Sequence, residues 1–199
     1  MLPRINSIYT RLGLLLVICL LSGTASYAGK LPRVQSSYGW PEPSGAHYTP
    51  TPPSASGEQV LFVFVGSSAC RFSSVPELPG LVEDLKMKVA AEAKRRETGF
   101  ATIGVAIDSD FRKGVNYLKR FGYFDEVTAG NGHYNSAFVK YVYEDMPGDA
   151  ATPQILVIQR SVTEKDGDVN VTSERLLRRL RGVAAIAQWA RGGAALPSS

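Results

Sequence analysis

The pattern of apolar positions begins to read clearly at the run Val60-Leu61-Phe62-Val63-Phe64-Val65. It is unbroken, β-branched and aromatic, which predicts a strand buried on both faces. Leu78, Leu81, Val82, Leu85 and Val89 then recur at helical spacing, with Glu83, Asp84, Lys86 and Lys88 on the opposite side. That spacing predicts an amphipathic helix running to about Glu97, with Gly99 as its C-cap and Pro76 and Pro79 near its start. Residues 101–107 form a second core strand. A helix capped by Asp108 or Ser109 follows, carrying Phe111, Val115, Leu118 and Phe121 and ending at Gly122. Residues 123–134 read as a short strand and a Gly-Asn-Gly loop, and Asn135 caps a short helix over 136–145. The run 154–160 predicts another strand, and the charged turn at 164–168 a hairpin leading to Val169-Asn170-Val171. Leu176, Leu177 and Leu180, spaced among arginines, predict a long amphipathic helix over 173–190 with a solvated basic face.

The N-terminus follows another pattern. Arg4 and Arg11 precede an apolar run over 12–21, and Ser26-Tyr27-Ala28 gives a small-x-small close, which together match a secretory signal peptide over 1–28. The run is shorter than the roughly 20 apolar residues that span a bilayer. Val17 and Ile18 before Cys19 do not make a lipoprotein box. The expectation is a secreted, periplasmic protein without a stable membrane anchor after cleavage. Residues 29–57 hold Pro32, Pro41, Pro43, Pro50, Pro52 and Pro53 among Gly, Ser and Tyr, without apolar periodicity. They read as a Pro-rich linker in which Tyr38, Trp40 and Tyr48 are free to dock and His47 is solvated. The folded domain is expected over 58–191 and a flexible tail over 192–199.

Composition narrows the function classes. The 44% hydrophobic and 20% charged residues suffice for a core. The net charge of +4 falls to +2 without residues 1–28, which hold two arginines and no acids, so much of the basicity belongs to the leader. No remaining basic patch argues for nucleic acid. Asp108, Asp110, Asp125 and Glu126 lack the spacing of a calcium loop and read as caps and solvated turns. His133, in a Gly/Asn loop, reads as a surface residue. No metal site and no cofactor are expected.

Cys70 carries the candidate chemistry. With Cys19 removed it is the sole thiol, and a strand that delivers a cysteine to a helix start sets sulfur before backbone N–H groups that favour the thiolate. Arg71 beside it favours the anion further. Ser73 stands one turn on, where a second cysteine would close a disulfide, and serine cannot. The residues leave two readings of Cys70: a one-thiol nucleophile, or a buried, inert cysteine acting as a small hydrophobe.

In its order of elements the chain resembles the thioredoxin-like superfamily over residues 58–190. Cys70-Arg71-Phe72-Ser73 falls where that family places Cys-x-x-Cys, Thr152-Pro153 where it has a cis-proline facing the active cysteine, and a hairpin and last helix follow. Ser67-Ser68-Ala69-Cys70 is also similar to the Ser/Thr-x-x-Cys of peroxiredoxins, whose preceding proline would fall at Val63. The resemblance implies an α/β, three-layer fold with a central mixed β-sheet flanked by helices. It implies a site of Cys70, Ser73 and Pro153 supported by Arg71 and Thr152. The activity implied is monothiol thiol–disulfide exchange, or a mixed disulfide with a protein or low-molecular-weight thiol partner. The alternative is a non-catalytic binding module on the same fold that has lost redox activity.

Overall fold

The structure, a computed structural model, describes residues 47–50, 56–146, 148–166 and 168–197. The signal-peptide reading, most of the Pro-rich linker, Tyr38 and Trp40 lie outside those residues. No helix among them is long and apolar enough to cross a membrane.

The protein is α/β. Five strands lie in the order β3-β2-β1-β4-β5. β1 (Gly57–Gly66), β2 (Gly99–Ala106) and β3 (Glu126–Ala129) run parallel, while β4 (Gln154–Lys165) pairs antiparallel with β1 and β5 (Asp168–Arg181) antiparallel with β4. β1 is central, and Val60 through Val65 are at most 3% exposed. Each such side chain contributes about 1.5–3 kcal/mol on burial. Phe62 and Phe64 point to one face, with α1 (Leu78–Arg95), α2 (Phe111–Leu118) and α4 (Gly182–Arg191). Leu61, Val63 and Val65 point to the other, beneath α3 (Ser136–Phe138) and the π-helical segment Val139–Glu144. This layering is compatible with a thioredoxin-like three-layer fold.

Local chemistry explains most element ends. Asn135 caps α3 as its sequence position predicts, its side chain accepting from the N–H groups of Ala137 and Phe138. α2 is capped by Asp110, which accepts from Lys113 N at 3.1 Å, and not by Asp108 or Ser109. α1 ends without the expected glycine. Glu97 takes the left-handed turn (φ 58), and Thr98 N bonds back to Ala93 O at 3.0 Å, leaving Gly99 to open β2.

The long helix expected over 173–190 is corrected. The chain stays extended to Arg181, and only Gly182–Arg191 is helical. The buried strand β4 needs an antiparallel partner, and the second half of the hairpin supplies it, with Leu180 opposite Ile155 and Arg178 opposite Val157. A bulge falls at Leu177, since Ile158 pairs with Leu176. It turns Leu177 to the same side as Leu180, so a strand mimics helical spacing. The expected flexible tail is corrected too over its described part. Ala194 (1% exposed) and Leu196 (6%) join the core, and Arg96 donates to the carbonyls of Leu196 and Pro197.

Residues 47–50, from the stretch assigned to the linker, dock at the start of the parallel strands. Tyr48 is buried, its N–H donating to Glu83 Oε1 and its hydroxyl to Asp125 Oδ2, both at 2.6 Å. Its ring meets Phe100 edge-on. Lys86 is fully buried beneath it, bonded to the carbonyls of Phe121 and Tyr123 at 2.7 Å and paired with Glu83 at 2.5 Å. Burial pushes the Lys86 pKa down, opposed by the Glu83 and Asp125 carboxylates. Asp125 also accepts from the N–H and hydroxyl of Thr102. His47 lies 3.4 Å from Glu83 with its side chain 46% exposed.

Candidate functional site

Cys70 lies at the other pole, beyond the C-terminal end of β1. The chain turns at Ser67, whose carbonyl accepts from Cys70 N at 3.2 Å. Cys70 then caps a four-residue 3-10 turn, Arg71–Ser74. The helix start expected at Cys70 is this single turn, and α1 begins only at Leu78, with Pro76 and Pro79 about its start. No multi-turn helix dipole aims at the sulfur, and nearby groups act instead.

The thiol is free and partly exposed. Its Sγ lies 3.4 Å from the carbonyl of Thr152, to which the thiol donates. Burial pushes the Cys70 pKa up, but hydrogen bonds from the Thr152 side chain, the Ser73 hydroxyl and the N–H groups of Ser73 and Phe72 outweigh it, and the thiol sits below its ordinary value.

Ser73 is completely buried, and its Oγ has no conventional hydrogen-bond partner. A buried hydroxyl without a partner costs about 1–3 kcal/mol. The group it does approach is the Cys70 sulfur, whose anion it favours. The Ser73 carbonyl is held by the Tyr117 hydroxyl at 3.1 Å. Burial pushes the Tyr117 pKa up, so it stays a donor. Tyr117 fits only because residue 66 is glycine, since a Cβ there would lie 2.2 Å from its oxygen.

The structure brings Thr152 and Ser73 to Cys70, and the Thr152–Pro153 bond is cis. The Pro153 carbonyl accepts from Gly182 N at 2.8 Å, tying the start of β4 to the start of α4. The Arg71 guanidinium stacks on Phe72, 4.6 Å from the ring centroid, and Phe72 is 53% exposed. His133 is exposed and packs against Phe138, 5.5 Å between ring centroids. Among the described residues no three His, Cys, Asp or Glu side chains converge as metal ligands.

Three residues that hold this site were not assigned to it from sequence. Ser68 and Asp108 join β1 to β2 beside Cys70, and Tyr117 supports Ser73 from α2. The signal for Tyr117 was its place on the inner face of α2, one turn before Phe121. Asp108 reads from sequence as a cap. Compared with known proteins, the chain matches no family model, no curated protein and no solved structure, so the reading of the site rests on its own geometry.

Proposed function

We propose that this is a thioredoxin-like, exported monothiol redox protein in which Cys70 performs thiol–disulfide exchange. The Cys70 thiolate attacks one sulfur of a partner disulfide. A Cys70–partner disulfide forms, the partner's S–S bond breaks, and the other partner sulfur leaves as a thiolate. Ser73 stabilises the attacking anion and cannot resolve the adduct. A second thiol from the partner or a low-molecular-weight thiol does so, attacking the partner sulfur and returning Cys70 as thiolate. Ionisation also withdraws the hydrogen that Cys70 gives to the Thr152 carbonyl, freeing that acceptor for an incoming chain.

One observation carries this reading. The Ser73 hydroxyl is buried without a hydrogen-bond partner of its own, in a position that favours the Cys70 thiolate. A cysteine kept only for packing has no use for that arrangement. The second reading, a non-catalytic partner-binding module, is favoured by Phe72, which is half exposed beside the thiol.

Site-resolved alkylation of Cys70 against pH tests the choice. An inflection clearly below about 8.5 is expected for the redox protein. A thiol that stays unlabelled until the protein is denatured would falsify it and leave the binding module.

A further inference from the structure

Asp108 directly follows the strand pair β1–β2, where Ile107 N bonds to Gly66 O at 3.0 Å. It is 7% exposed. Its two carboxylate oxygens accept the N–H of Ser68 at 3.2 and 3.1 Å, and Oδ1 also accepts the Ser68 hydroxyl. Its own carbonyl accepts Gly132 N at 3.4 Å. Ser68 in turn offers its carbonyl to Ser74 Oγ at 3.4 Å, across the turn that carries Cys70. The loop between β1 and the thiol therefore hangs on one carboxylate just after β2, while Tyr117 holds its far side through the Ser73 carbonyl. A helix cap or a solvated turn needs neither this burial nor both donors of a residue 40 positions away.

We propose that Asp108 is a positioning residue of the Cys70 site: by fixing Ser68 it holds the sulfur before Ser73 and Thr152. The proposal rests on the monothiol reading above. The charged and titratable groups around the loop are Arg71 in its turn, Asp108 after β2, and Tyr117 and Arg120 from the α2 side, with Arg120 donating to Ser74 O at 3.4 Å.

Two effects of Asp108 on the thiol have opposite signs. As a negative charge, it opposes a second anion nearby. As a clamp, it keeps the hydroxyls and N–H groups aimed at the sulfur and so favours the anion. Asp108→Asn removes the charge but still offers an oxygen to Ser68 N–H and an N–H to Ser68 Oγ. Asp108→Ala removes both.

The test is the pH midpoint of Cys70 alkylation in the full-length chain, read by mass spectrometry of the Cys70 peptide so that Cys19 does not interfere. Asp108→Ala is expected to raise the midpoint by about one unit, and Asp108→Asn to leave it within a few tenths of wild type. Equal downward shifts in both would mean that charge alone acts, and would overturn the positioning role. An unchanged midpoint in Asp108→Ala would overturn it as well. Should Asp108→Ala not fold, Ser68→Ala removes only the hydroxyl half of the clamp, and a smaller rise is expected; no rise overturns the proposal. An ordinary wild-type midpoint defeats the monothiol reading itself, whereas a depressed one that Asp108→Ala leaves in place defeats only Asp108.

Discussion

Replacing Ser73 with alanine separates two consequences of its burial. Its Oγ is inaccessible and unpartnered beside the thiol, and it favours the thiolate. A hydrogen bond to a charged group contributes about 1.5–3 kcal/mol, and 1.36 kcal/mol is about one pKa unit. Cys70 is partly exposed, so water replaces part of the loss, and the thiol pKa should rise by about one unit. At a pH below both values the thiolate fraction then falls about tenfold. The more basic thiolate is intrinsically more nucleophilic, so the exchange rate should fall only about threefold. Stability should move the other way at low pH, where Cys70 is a thiol and the wild-type hydroxyl is buried without a partner. Alanine relieves about 1 kcal/mol there, which raises the melting temperature by about 2–4 °C for a chain of this size.

The pH dependence has a definite sign. Cys70 has a folded pKa below its unfolded value, so its contribution to stability is complete above about 8.5 and vanishes as the pH falls through the folded value. Ser73→Ala should therefore shrink the difference between melts at pH 9 and pH 5. Alkylation profiles and melts at those two pH values form the assay. A lower melting temperature at pH 5 with an unchanged alkylation midpoint would refute the reasoning, because Ser73 would then serve the fold and not the sulfur.

Two further predictions concern the scaffold. Lys86→Met leaves the buried Glu83 carboxylate and the Phe121 and Tyr123 carbonyls without their cation, and should cost about 3–5 kcal/mol in urea unfolding. Adding Glu83→Gln should recover part of that loss, and no recovery would mean that the ion pair is not the source. Ending the chain after Gly193 removes Ala194 and Leu196 from the core and two acceptors from Arg96. A loss of about 2–4 kcal/mol is expected in the same assay, and unchanged stability would show that these contacts contribute nothing.

The parts legible in sequence were those where period and caps agreed. The doubly buried β1, the apolar face of α1 and the Asn135 cap all follow from local rules, whereas Glu83 and Lys86, read as part of the polar side of α1, are buried. β5 was misread because its bulge at Leu177 breaks the alternation by which a strand is recognised and leaves leucines at helical spacing. The tail was misread because its two buried side chains, Ala194 and Leu196, carry no periodicity and draw their stability from distant partners. At the site, Cys70 and Ser73 announce themselves by chemistry and spacing. The burial of Ser73 depends on Tyr117 from another element, and the grip of Asp108 on Ser68 spans two strands. No local pattern encodes either.

The docking of Tyr48 also fixes where the domain can be held from outside. Tyr48 sits at the beginning of the parallel strands and Cys70 beyond their end. The ten residues of β1 between them span roughly 30 Å. A surface tether or fusion partner joined ahead of residue 47 would grip the domain by its blunt end and present the thiol outward, as a handle is set opposite a blade.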